Sequence, residues 1–217
     1  MNKEYVFFDL DGTLTDPKVG ITKSVQYSLG AFGIEIEDPN DLVPFIGPPL
    51  RDSYKDFYSF SDTDAEKAVA KYREYFSVHG IYENEIYAGI KEMLAKQSSR
   101  GVRLAVATSK PTVYAEEILK NFQIDSYFDF VAGSEMDGRR SKKDLVIQYA
   151  LDNLKICDVR KIIMVGDREH DILGAKRLGI DSVGVLYGYG NYDELSRAGA
   201  THIAADVREL SAALARV

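Results

Sequence analysis

An apolar run that breaks straight into paired carboxylates constrains this chain more than any other feature: Tyr5-Val6-Phe7-Phe8 is followed at once by Asp9-Leu10-Asp11-Gly12-Thr13-Leu14-Thr15. A short, fully apolar run suits a strand covered on both faces, as in the middle of a parallel sheet, and ligands on such sheets bind beyond the carboxyl ends of the strands. Asp9 and Asp11 fall at that end. Residues two apart on an extended chain point the same way, so both acids can face one pocket while Gly12 lets the backbone turn away. Two carboxylates held together repel; a cation such as Mg²⁺ neutralises them, or one keeps its proton. Either arrangement makes chemistry, because one aspartate can attack phosphorus while the other protonates the leaving oxygen and later deprotonates water.

Beyond this corner the periodicity changes twice. Ile21, Val25, Leu29 and Phe32 recur at helical spacing, Asp38-Pro39-Asn40-Asp41 marks a turn, and 50–60 and 62–79 resume helical patterns. Residues 17–82 are therefore predicted to be an all-helical insertion, with Tyr54, Phe57, Tyr58, Tyr72, Tyr75 and Phe76 as packing residues. From Tyr87 onward helices and strands alternate, with strands predicted over 103–108, 128–132, 161–165, 181–186 and 201–204. Helices are predicted between them, among them 112–122, 142–154 and 171–178. The alternation predicts an α/β fold: a Rossmann-like parallel sheet with helices on both faces, formed by residues 1–16 and 83–217, with 17–82 inserted as a small helical domain.

Three more stretches repeat the logic of a strand ending in polar groups. Leu104-Ala105-Val106-Ala107 runs into Thr108-Ser109-Lys110-Pro111, whose hydroxyls, N–H groups and helix start suit an anion. Gly138-Arg139-Arg140-Ser141-Lys142-Lys143-Asp144 is a basic knot at the start of a helix. Ile162-Ile163-Met164-Val165-Gly166 gives way to Asp167, with Asp171 four residues later at a helix start. His170, between two acids, reads as a solvated residue, and His79 and His202 have no partner pattern.

In order along the chain, these motifs resemble those of the haloacid dehalogenase superfamily of aspartate-nucleophile phosphohydrolases, whose first motif is Asp-x-Asp-Gly-Thr-Leu. The resemblance implies that Asp9 is the nucleophile and Asp11 the acid and base, and that Thr108 and Lys143 hold the phosphoryl group with Ser109 beside them. It also implies that Mg²⁺ is held by Asp9, the backbone carbonyl of Asp11 and Asp167. The usual Lys-Pro-x-Pro context of the motif lysine is absent; counting back from the helix body favours Lys143, with Lys142 second. Asp171 would bind a metal water or hold Lys143. The loop Ile46-Gly47-Pro48-Pro49-Leu50-Arg51 looks like that of the phosphoglycolate phosphatase branch, in which Gly47 permits close approach and Arg51 meets a substrate carboxylate. The expected function is hydrolysis of a small phosphorylated metabolite, phosphoglycolate first, with nucleoside monophosphates or pyrophosphate behind it. A sugar-phosphate mutase and a non-catalytic phospholigand-binding protein share the same corners and stand as alternatives.

Composition narrows the partners. A net charge of -7 argues against broad binding to nucleic acid or anionic membranes. No apolar stretch approaches the ~20 residues needed to span a bilayer, and a cytoplasmic monomer or homodimer is expected. The single cysteine, Cys157, excludes an internal disulfide and a cysteine-based metal cluster, and reads as a structural residue.

Overall fold

The computed structural model describes residues 3–216, which form two compact units: Pro17–Glu85 is one, and the rest of the described chain is the other. The chain leaves the first strand, β1 (Tyr5–Phe8), and passes between the units at the two-residue strands β2 (Thr15–Asp16) and β3 (Glu85–Ile86). It then lays down β4 (Arg103–Pro111), β5 (Phe128–Ser134), β6 (Ile162–Gly166), β7 (Asp181–Val185) and β8 (His202–Ala204).

Six of these strands form one sheet in the order β5-β4-β1-β6-β7-β8, and every pair is parallel. The chain builds outward from β1 through β4 and β5, then returns to the other side of β1 for β6 to β8. That reversal opens a crevice at the carboxyl end of β1, where sheets of this kind bind ligands. Register makes the crevice compact, because Phe8 pairs with Val106 on one side and Val165 on the other, so the residues after Phe8, Val106 and Val165 stand at one level. Val6, Phe7, Phe8 and the whole of β6 are buried, which explains why these strands read as continuous apolar runs.

Helices cover the sheet through apolar stripes. Val146, Ile147, Ala150 and Leu151 of helix Lys143–Leu154 pack with Phe7, Ala105, Ala107 and Met164. The stripe fixes the helix on the sheet and so brings its first residue, Lys143, to the carboxyl edge. Helix Glu169–Arg177 starts two residues earlier than expected, with Asp171 at its third position accepting the Arg168 N–H at 3.1 Å. The strand predicted over 103–108 runs on to Pro111, and its ladder with β5 is irregular: Ala107 pairs with Ala132, and the next pair is Pro111 with Ser134. The stretch Thr108-Ser109-Lys110-Pro111 reads as a helix start, but a bulge carries those residues within the strand. Cys157, expected to be a structural residue, is exposed.

The helical unit holds helices Lys18–Gly30, Leu50–Tyr58 and Asp62–Tyr75, with a 3₁₀ segment at Pro39–Phe45 and a π turn at Phe76–Gly80. Its centre is aromatic. The Phe45 ring lies 5.0 Å from Tyr54, Tyr54 stacks on Phe60, and Tyr72 stacks on Phe76, while Phe57, expected to pack inside, lies 5.3 Å from Phe45 but is exposed. These rings pack against one another at the offset and edge-on separations that aromatic side chains favour. No helix among the described residues is long and apolar enough to cross a membrane.

Candidate active site

Asp9 stands one residue past β1, held in sheet register by its N–H to the Val165 carbonyl at 2.9 Å. Gly12 follows with φ +80°, and a Cβ there would overlap the Asp167 carboxylate, so only glycine lets this turn lie against the residue that ends β6. The result is a buried cluster in which Asp9, Asp167 and Asp171 each offer a carboxylate oxygen, all within 4.8 Å of one another.

Two lysines enter the cluster from different elements. Lys143 Nζ lies 2.8 Å from Asp9 Oδ1 and 2.7 Å from Asp171 Oδ1, and donates to the Ala107 carbonyl at 3.0 Å. The ammonium therefore sits against two carboxylates and one backbone carbonyl. Lys142 is exposed, so of the two lysines it is Lys143 that reaches the acids. Lys110 Nζ lies 2.8 Å from Asp11 Oδ2, with both side chains nearly excluded from solvent, while Asp11 Oδ1 is buried without a hydrogen-bond partner. Thr108 is buried and its Oγ1 accepts the Lys110 N–H at 3.3 Å; Ser109 next to it is half-buried.

Burial raises the carboxyl pKa of Asp171 to about 6, with Lys143 pulling it back down and Asp9 pushing it up. Asp167 is driven well above the usual carboxylate range by burial and then by the charges of Asp171 and Asp9. Asp11 is also raised, by burial that outweighs the attraction of Lys110. Burial works against the Lys143 ammonium, yet Asp171 and Asp9 outweigh it and raise its pKa. Four buried acids thus face two lysines. An all-oxygen donor set with surplus negative charge is what a hard divalent cation requires.

Two groups at this edge lie outside the set expected from sequence. One is Lys110, which reads as a donor adjacent to Thr108 with no assigned role, because nothing nearby in sequence marks Asp11 as its partner. The other is the loop after β7: Tyr189 N donates to Asp167 Oδ2 at 2.8 Å, Tyr187 Oη donates to the Thr13 carbonyl at 2.9 Å, and the Tyr189 hydroxyl donates to Asp16. The signal for it was the Gly188-Tyr189-Gly190 string directly past a strand. Gly47 and Arg51 belong to the helical unit. Gly47 has φ +105°, and Arg51 Nη2 lies 3.1 Å from Glu66 and 3.4 Å from Asp62.

Among known proteins, the chain is 46% identical over 205 residues to a 5'-nucleotidase of Pseudomonas aeruginosa, covering 94% of this chain and 92% of that one. It is 38% identical over 213 residues to the tyrosine-protein kinase PtkA of Mycobacterium tuberculosis, covering 97% of this chain and 72% of the relative. A crystal structure of a "predicted phosphatase" from Clostridium acetobutylicum superposes with a TM-score of 0.98 at 46% identity, over 100% of both chains. The family model of haloacid dehalogenase-like hydrolases matches residues 6–185. With that match across the sheet and the acidic cluster at its carboxyl edge, the chain belongs to the haloacid dehalogenase-like hydrolases and is a phosphatase.

Proposed function

We propose that this phosphatase hydrolyses a small organic phosphate monoester in a Mg²⁺-dependent reaction through an aspartyl-phosphate on Asp9. One observation carries the reading: Lys143 bridges Asp9 and Asp171 inside a buried cluster of acids at the sheet's switch point. Lys143 engages Asp9 Oδ1, which assigns attack to Oδ2. As Asp9 Oδ2 bonds to phosphorus, the bond to the leaving oxygen breaks and Asp11 delivers its proton there; the raised pKa of Asp11 suits it to hold that proton. Asp11 then takes a proton from water, which attacks phosphorus and frees Asp9 and inorganic phosphate. Thr108 donates a hydroxyl to the phosphoryl oxygens with Ser109 beside it, and Lys143 supplies positive charge while it steadies the nucleophile.

Asp9, Asp167 and the Asp11 carbonyl would hold Mg²⁺, which when bound neutralises charge on the phosphate oxygens. Asp171, whose Oδ1 lies 2.7 Å from Lys143 Nζ, is assigned instead to holding that lysine. For the substrate, a nucleoside 5'-monophosphate ranks first, on 46% identity to a 5'-nucleotidase across nearly the whole chain. Phosphoglycolate ranks second. The Gly47-Pro48-Pro49 loop supports it, but Arg51, the group meant for the carboxylate, pairs with Glu66 and Asp62.

Phosphate release from a panel of esters, with and without Mg²⁺, tests the reading. The expected result is Mg²⁺-dependent release that is fastest with nucleoside 5'-monophosphates. Release that persists in a strong chelator would remove the metal from the reaction. Preference for a carboxylated ester would reverse the substrate order.

A further inference from the structure

Resting on the mechanism above, we infer that Lys110 is a positioning residue for Asp11: it pins Oδ2 so that Oδ1 serves the departing oxygen of the substrate, and it acts on leaving-group protonation without holding the phosphoryl group. A strand bulge, the glycine that accommodates it and a buried ion pair carry this. The β4/β5 ladder breaks after Ala107–Ala132 and resumes at Pro111–Ser134, so Thr108, Ser109 and Lys110 stand opposite Gly133 alone. Extra residues in one strand re-aim a side chain, and such bulges gather beside active sites. This bulge depends on its partner, since a Cβ on Gly133 would sit 2.5 Å from the Lys110 carbonyl and 2.7 Å from Thr112 N. The backbone is therefore built to turn residue 110.

Its side chain then meets Asp11 rather than water. Nζ lies 2.8 Å from Asp11 Oδ2, with only 6% of the lysine side chain and 11% of the aspartate side chain exposed. Taking an ammonium so far out of water is costly unless it is paired. The pair is asymmetric, because Asp11 Oδ1 is buried and makes no hydrogen bond of its own. One oxygen is restrained and the other is left for chemistry. At Asp9 too a single carboxylate oxygen, Oδ1, faces a lysine. Each acid of the first motif thus has its own lysine, one from a helix start and one from a strand bulge.

Leaving-group dependence separates this role from its rivals. An alkyl ester such as a nucleoside 5'-monophosphate needs its alkoxide protonated, whereas p-nitrophenyl phosphate departs as a stable phenolate. Because kcat/KM covers only the steps through leaving-group departure, it reports the first half of the reaction. In Lys110→Met, kcat/KM for the alkyl ester should fall about 100-fold, and that for p-nitrophenyl phosphate less than about threefold. An equal fall for both esters would show that Lys110 acts on the phosphoryl group, and no fall for either would show that it has no part in turnover; both outcomes overturn the inference. Lys110→Met leaves Asp11 unpaired and can cost the fold, so the same change is also made on Asp11→Asn, where no carboxylate is left behind. There it should lower kcat/KM by less than about twofold, and a further tenfold loss would show that Lys110 works apart from Asp11. Wild-type protein that releases phosphate from neither ester would instead sink the mechanism on which this inference rests.

Discussion

The two edges of the central sheet use the same residue types to opposite ends. At the amino edge Lys161 pairs with Glu4 at 2.7 Å, Arg103 with Asp129 at 2.8 Å and Lys3 with Asp181 at 2.5 Å, one cation to one anion, with at least one partner of each pair in water. At the carboxyl edge Lys110 and Lys143 share a buried site with Asp9, Asp11, Asp167 and Asp171. The amino edge is balanced and hydrated, and its ion pairs do little beyond tying strand ends together. The carboxyl edge is unbalanced and buried, with four acids against two lysines. What separates a structural edge from a reactive one here is stoichiometry and burial, since the residue types are shared.

The contrast is broken most severely by removing the proposed nucleophile. Asp9→Asn should lower turnover by about 10⁴-fold or more while the far-ultraviolet circular dichroism stays that of the wild type; hydrolysis within tenfold of wild type would take Asp9 out of the attack. Next is Lys143→Met. It leaves Asp9 and Asp171 buried against each other, and should cost about 3–5 kcal/mol in urea unfolding without metal. Lys161→Met, at the opposite edge, should leave the urea midpoint unchanged. Equal losses at both lysines would erase the distinction between the edges.

Proton and metal should compete at the carboxyl edge alone. Asp171 has a carboxyl pKa of about 6 in the folded protein, and Asp167 is raised as well. Between the ordinary carboxylate value and that raised one, the folded chain holds protons that the unfolded chain has lost. Their stabilising contribution is therefore present at low pH and disappears as pH rises through about 6. A bound cation replaces it above that pH. The rise in Tm on adding Mg²⁺ should accordingly be larger at pH 7.5 than at pH 5, and a pH-independent rise would place the ion elsewhere. The smallest effect is expected for Tyr189→Phe, which removes the hydroxyl bond to Asp16 but keeps the N–H on Asp167. It should cost about 0.5–1.5 kcal/mol of stability and less than about threefold in kcat, and a hundredfold loss in kcat would give the hydroxyl a direct part in turnover.

Much of this was legible before any coordinates. Asp9 and Asp11 advertise themselves because strand, acids and glycine are contiguous, and Asp167 repeats the pattern after β6. The helical insertion and the alternating elements follow from periodicity, a local property of the chain. Element ends were less legible: the sequence pattern stops β4 at Thr108, while pairing with Ser134 carries it to Pro111. Partners across the fold were legible only as alternatives, as for Asp171 and Lys143, or not at all. Lys142 and Lys143 are neighbours with the same chemistry, and the packing of Val146, Ile147 and Ala150 on the sheet decides which of them faces Asp9.

By itself, then, the order of residues determined the strand that ends in acids, the helical insertion behind it and the family of chemistry these motifs serve, because each is written within a few adjacent positions. Only the tertiary structure decided that Lys110 belongs to Asp11, that Asp171 is held by Lys143, and that Tyr189 supports Asp167. The physical reason is that an ion pair or a hydrogen bond acts over about 3 Å in space, and a bulge opposite Gly133 or the rotation of one helix brings groups that close regardless of their separation along the chain.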